Sequence, residues 1–164
     1  MPPDLGFRRL DRDEWKVLRD ARLIALRESP RSFLARYDQE EKYGQERRET
    51  EFDRGDWFVG ELDDRHVFLT GVTRESCTPA DECHLEYVWV APDLRRRGTA
   101  SDKLSDIIGK LKGSGVRTVF LWILDGNDPA RLLYERLGFI TTNQRQPLEA
   151  FPGRSEELMQ LHLG

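Results

Sequence analysis

Apolar and polar positions fall in distinct blocks along the 164-residue chain, and each block has the period of a helix or a strand. Phe7–Leu10 is strand-like. Asp11 and Glu14 follow at capping-box spacing, and Leu10 with Trp15 sits at hydrophobic-staple spacing, so a helix is predicted to start here. Leu18, Ala21 and Ala25 carry it to about Glu28, and Pro30 ends it. Residues 37–52 are charged, with helix-favouring Glu, Gln and Arg, and read as a second helix.

The middle of the chain is strand-like. Trp57–Leu62 and His66–Val72 are joined by Asp63-Asp64, a hairpin turn. A polar loop with Pro79 leads to a strand over Cys83–Val90, which Pro92 closes. Ala100, Leu104, Ile107, Ile108 and Leu111 then share one helical stripe, stopped by Gly113 and Gly115. Val116–Leu124 is almost continuously apolar, which predicts a strand buried on both faces. A short helix follows with Asp128 as N-cap and Pro129 at its first position, ending at Leu137-Gly138 with Phe139 as the apolar contact. Phe139–Thr142 and Glu157–Leu163 are the closing strands. The series predicts one mixed α/β domain over 1–164, built on a central sheet.

Composition narrows the function classes. Hydrophobic residues make up 38% and charged residues 34%, a globular chain with a heavily charged surface. A net charge of −4 argues against a nucleic-acid partner, whose binder is usually basic. No apolar run approaches the roughly 20 residues of a membrane span. The first residues have neither the apolar core nor the cleavage site of a signal peptide. Cys77 and Cys83 are too few for a disulfide scaffold and lack zinc-site spacing, so no metal is expected. Together these point to a cytoplasmic protein, in which both thiols stay reduced.

The chemistry concentrates at Arg95-Arg96-Arg97-Gly98-Thr99-Ala100, between a strand and an amphipathic helix. Free N–H groups and the positive dipole end make a helix start a ready phosphate site. Gly98 lets the backbone approach an anion closely, and small Thr99 and Ala100 keep the first turn uncluttered. Arginines at a helix N-terminus oppose the macrodipole, and an anionic ligand would account for them. A dinucleotide fingerprint would need more glycines, and a Walker loop would need Gly-Lys-Ser/Thr, which is absent.

The run Leu85–Ala100 resembles motif A of the GNAT superfamily, Gln/Arg-x-x-Gly-x-Gly/Ala, which Arg95, Gly98 and Ala100 satisfy. Motif B follows in order as Asn127-Asp128-Pro129-Ala130 and Leu133-Tyr134-Glu135-Arg136-Leu137-Gly138-Phe139. The resemblance implies a central mixed sheet of about six to seven strands and about four helices, with splayed central parallel strands over 83–90 and 116–124. It implies acetyl-CoA as cosubstrate, its pyrophosphate on the amides of Arg96, Arg97, Gly98, Thr99 and Ala100, with Ser101 joining. By the same resemblance Arg95 belongs to the turn, Val88 and Val90 bond the pantetheine arm, Asn127 and Ala130 lie near the cofactor, and Tyr134 protonates the departing thiolate. The implied reaction is acetyl transfer to a primary amine of a small molecule or peptide, by direct attack in a ternary complex. The alternative is a catalytically silent acyl-CoA-binding module of the same fold, and the chain is expected as a monomer or homodimer.

Acyl transfer also needs the amine deprotonated. Strand alternation puts His84, Glu86, Val88 and Val90 on one face and Cys83, Leu85, Tyr87 and Trp89 on the other. Either Glu86 or His84 can take the proton, and Glu86 is favoured as nearer the thioester. Val90 N–H would polarise the thioester carbonyl. Cys83 and His84 point to opposite faces and form no dyad. Trp57, Trp89 and Trp122 read as core or cleft wall. The resemblance also implies an acceptor site from the first two helices and the late loops, residues about 20–40 and 143–153, with Arg22, Arg27, Ser29, Arg31, Phe33, Tyr37, Arg145 and Gln146 as candidates.

Overall fold

The computed structural model describes residues 6–29, 37–149 and 151–164. Among them the chain runs β1 (Gly6–Arg9), α1 (Trp15–Glu28), α2 (Tyr37–Glu40), α3 (Gln45–Phe52), β2 (Gly55–Leu62), β3 (Arg65–Thr73) and β4 (Glu82–Val90). A 3-10 turn at Pro92–Leu94 leads to α4 (Thr99–Gly113), β5 (Thr118–Leu124), α5 (Asp128–Arg136), β6 (Ile140–Pro147) and β7 (Ser155–His162). The strands form one mixed sheet in the order β1-β2-β3-β4-β5-β7-β6. The described residues therefore carry five α-helices, against the four or so expected.

The extra helix comes from a break in the stretch expected as one helix over 37–52. In an unbroken helix the Glu40 carbonyl would accept from residue 44. Here that carbonyl accepts instead from Tyr43 N–H at 3.1 Å and from Arg48 Nη2, and Gly44 is extended (φ −75°, ψ 174°) as the N-cap of α3. At α1 the Asp11 N–H donates to Glu14 Oε1 at 2.9 Å, as the capping pattern predicts, but the helix proper starts only at Trp15. The hairpin turn is as predicted. Asp63 and Asp64 both take positive φ (51° and 62°), the geometry whose twist suits a two-residue hairpin.

Register assigns the two faces, since residues directly opposite share a side. One face carries Trp57, Leu69, Gly71, His84, Glu86 and Trp89; the other carries Phe58, Phe68, Val72, Cys83, Leu85 and Val90. The first lies under α1 and α3, where Trp57 Nε1 donates to Phe52 O at 2.9 Å. The second lies under α4 and α5. Phe7 stacks on Phe58 at 5.9 Å beneath Lys103 of α4, and Gly138 after α5 sits against Leu161.

Two expectations about strands need correction. Glu86 pairs with Gly71 but Trp89 with Leu69, so Tyr87 and Val88 together oppose Thr70 in a β-bulge, with Tyr87 at φ 59°. The extra residue inverts the alternation. Val90 leaves the face of Glu86, and Trp89 joins it. β5 is buried on one face only: Val119, Leu121 and Ile123 are covered, while Phe120 and Trp122 stay half-buried. The reason is that α1 and α3 pack over β2 to β4, short of that part of the sheet.

At the far end β6 extends to Pro147, well beyond the expected Thr142. A register irregularity between Thr141 and Arg145, with Asn143 at φ 64°, lets pairing with β7 resume. Arg145 and Gln146 are therefore strand residues.

Candidate acyl-CoA site

β4 and β5 are parallel but paired only at Glu82↔Thr118, Cys83↔Val119 and His84↔Phe120. Beyond His84 the two strands separate, which opens a gap at their C-terminal ends. Ala91 N–H donates to Val67 O at 2.8 Å, so 91 and 67 form a hydrogen-bonded pair of the antiparallel ladder. The neighbouring residue in register, Val90 opposite Phe68, then turns its N–H and C=O away from β3 and into the gap.

The start of α4 lies just beyond that strand end. Arg96 (φ 64°) and Gly98 (φ 78°) both take left-handed backbone, and space in front of Gly98 is open: an added Cβ would meet nothing within 4 Å. The helix has no side-chain cap. Its first amide with an intrahelical partner is Asp102, donating to Gly98 O at 2.9 Å, so the amides of Thr99, Ala100 and Ser101 form the usual unpaired set of a helix start. Thr99 Oγ1 is buried without a partner among the described residues. These donors fit an anionic diphosphate. The three arginines behave differently from one another. All three are exposed, but Arg95 is tied down, its Nε on Val90 O at 3.0 Å and its Nη2 on Ser29 Oγ at 2.6 Å.

At α5 the N-cap is Asn127, one residue before the expected Asp128, and its Oδ1 accepts from Ala130 N–H at 3.4 Å. The helix ends as its sequence predicts. Gly138 takes φ 101°, Phe139 N–H bonds Tyr134 O at 3.0 Å and Gly138 N–H bonds Glu135 O at 3.0 Å. This cap anchors Tyr134, whose ring meets Phe139 edge-on at 5.9 Å. Burial raises the Tyr134 phenol well above its ordinary range, so it stays protonated, and its hydroxyl has no hydrogen-bond partner among the described residues.

On the face under α1 and α3, Glu86 Oε1 accepts from Arg54 Nη2 at 3.1 Å, and Glu86 Oε2 is buried with no donor among the described residues. His84 stacks against Phe120 at 5.5 Å. Burial lowers the His84 imidazole pKa, partly countered by Glu86, so the neutral ring is favoured. Cys83 is fully buried on the opposite face, which pushes its thiol up to about 11.

The sequence-picked acceptor residues are scattered and mostly engaged. Arg22 is bidentate to Glu40 (3.2 and 3.1 Å), Arg27 donates to the Tyr37 hydroxyl (2.5 Å), and Ser29 holds Arg95. Arg145 pairs with Asp125, and Gln146 donates to Glu156 at 2.5 Å. Arg31 and Phe33 lie outside the described residues. Sequence reasoning passed over Arg54, since a lone arginine in a turn between two elements carries no motif. Among the described residues no group of three or more His, Cys, Asp or Glu could hold a metal, and no helix is long and apolar enough to cross a membrane.

Residues 10–139 match the profile of the Acetyltransferase (GNAT) family, and the chain belongs to that family. No curated protein sequence matches it. Among solved structures it is similar to the ribosomal-protein-S18-alanine N-acetyltransferase from Escherichia coli (TM-score 0.70, 19% identity, 98% of this chain and 95% of that one). An N-acetyltransferase from Staphylococcus aureus Mu50 gives a TM-score of 0.74 at 16% identity, covering 99% and 100%. The protein yncA from Salmonella typhimurium, solved with its cofactor acetyl-CoA, gives 0.74 at 15%, covering 99% and 95%. At these identities the likeness carries the fold, which is the GNAT fold.

Proposed function

We propose that this chain, acting as one domain over 1–164, is a cytoplasmic N-acetyltransferase that moves an acetyl group from acetyl-CoA to a primary amine by direct attack in a ternary complex. The observation that carries the reading is the parting of β4 from β5 beyond His84, with the Val90 N–H turned into the gap and an uncapped helix start beside it. A diphosphate suits the amides of Arg96 to Ser101, with exposed Arg96 and Arg97 as charge-assisted donors. Arg95 serves by bracing the turn. Main-chain groups of Val88 and Val90 line the arm's path, and Asn127 with Ala130 fixes the start of α5 near its end.

The acetyl-CoA thioester supplies the acyl group, and the chain's own residues supply the rest. Val90 N–H stabilises negative charge developing on the carbonyl oxygen. Glu86 accepts the amine's proton at Oε2, the oxygen without a donor among the described residues, while Arg54 holds Oε1. His84, kept neutral by burial, stands on the same face as a second acceptor. Tyr134, held protonated by its apolar site, gives its hydroxyl proton to the departing sulfur. The test is release of free CoA thiol with a panel of amines, in wild type and Tyr134→Phe. The variant should lose about 10²–10⁴-fold in kcat while binding acetyl-CoA as tightly as wild type. Equal turnover would reject Tyr134 as the acid, and acetyl-CoA binding without thiol release on any amine would favour the silent binding module.

A further inference from the structure

One concavity, of about 300 Å³, is lined by residues of α2, α3 and β4 and by Arg54, which bonds Glu86 just outside it. Its volume is at the small end of ligand sites. Its walls have an unusual charge pattern. Glu40 and Glu51 are absorbed from within by buried Arg22 and Arg48: Arg22 is bidentate to Glu40, and Arg48 lies 3.7 Å from Glu40 and 3.8 Å from Glu51. Glu51 also accepts from the Tyr87 hydroxyl. The carboxylates are thus neutralised before the rim is reached.

The rim carries two guanidiniums, of which Arg54 is bonded to carboxylates and Arg47 is not. Arg47 is exposed and stacks over the Tyr43 ring at 3.6 Å, with no carboxylate partner among the described residues. Arg54 faces the same space and holds exposed Glu75 at 3.1 Å, so it already takes a carboxylate from the solvent side. Its other contact is Glu86, at 3.1 Å. Stacking on an aromatic ring fixes the plane of a guanidinium and leaves its edge donors free, the arrangement that suits a planar or tetrahedral oxyanion.

We infer that this concavity seats the anionic end of the acceptor: the substrate is a small amine that also carries a carboxylate or similar oxyanion, held by Arg47 and Arg54 while its amine is presented to Glu86. The inference deepens the acetyltransferase reading and rests on it for the role of Glu86. It names Arg47 and Arg54 as specificity residues, and neither touches the cofactor turn.

The test compares amino acids with their α-amides, which differ mainly in the negative charge, by equilibrium binding to the full chain followed by ligand-observed NMR. At least one acid should bind roughly tenfold or more tightly than its amide, the scale of a lost charge-assisted pair. Arg47→Gln and Arg54→Gln should each erode that preference, and Lys112→Gln on exposed α4, with the same change in net charge, should not. The inference is overturned if amides bind as well as acids, if no acid binds at about 10 mM, above the usual KM range, or if the preference survives both arginine substitutions. A parallel acetyl-CoA titration separates the two failures. Acetyl-CoA uptake without acid preference sinks this inference alone, whereas no acetyl-CoA uptake sinks the enzyme reading and leaves the acid–amide comparison readable.

Discussion

At the scale of single residues, Glu14 shows how a local pattern becomes a measurable energy. Its carboxylate is bonded twice by Arg8 (2.6 and 2.7 Å) and once by the Asp11 N–H, and the Arg8 bonds first, then the backbone one, hold its pKa down at about 2. A carboxyl depressed in the folded state stabilises the protein fully above its ordinary value near 4.5 and loses that contribution as pH falls toward about 2. Glu14→Gln should therefore flatten the acid limb of the stability–pH curve over that window, as measured by urea unfolding at several pH values; an unchanged limb would refute the assignment. The bond from Asp11 to Glu14 was legible in their spacing, but the cap was not: Glu14 itself is the N-cap of α1, without a side-chain cap bond. The N-cap of α5 was misjudged by one position because Asn127 and Asp128 are both good caps, and only the Ala130 N–H chooses between them. The engagement of Arg95 was illegible, since its partners Ser29 and Val90 are brought together only by the fold.

At the scale of elements, helices and strands with strong periods were placed well, and errors gathered where tertiary contacts override local preference. The bulge at Tyr87 is the clearest case. Nothing in the run Glu86-Tyr87-Val88 announces an extra residue, yet it exchanges the sheet faces taken by Trp89 and Val90. At the break between α2 and α3 the Glu40 carbonyl closes a tight turn with Tyr43 N–H and also accepts from buried Arg48, a side-chain contact that local preference does not announce. Sheet packing makes two predictions. A Cβ at Gly71 would stand 2.3 Å from the ring of fully buried Trp57, so Gly71→Ala should destabilise by about 1–3 kcal/mol or more, read as a lower urea midpoint at an unchanged m-value. No shift would mean that Trp57 can move aside. Cys83 is buried on β4 with its thiol pushed up to about 11, whereas Cys77 is exposed, so a thiol reagent on native protein should modify Cys77 alone by mass spectrometry. Labelling of both at equal rates would contradict the placement of β4.

At the scale of the whole molecule, a seven-stranded sheet is opened at one place, where two parallel strands start together and part. The sequence motifs located that place to within a residue or two, because Gly98 and the apolar runs around it are local signals. They did not point to the concavity proposed for the acceptor. It depends on Arg22, Glu40, Arg48, Glu51, Arg54 and Tyr87, drawn from three helices, a turn and a strand with no shared spacing. The central claim is that main-chain donors at the start of α4 and at Val90 receive acetyl-CoA. Amide chemical shifts of isotope-labelled protein, followed through an acetyl-CoA titration, test it most directly. The account predicts saturable shifts at Val90, Gly98, Thr99 and Ala100 ahead of those on β1 and β6; shifts that leave these four amides unmoved would contradict it.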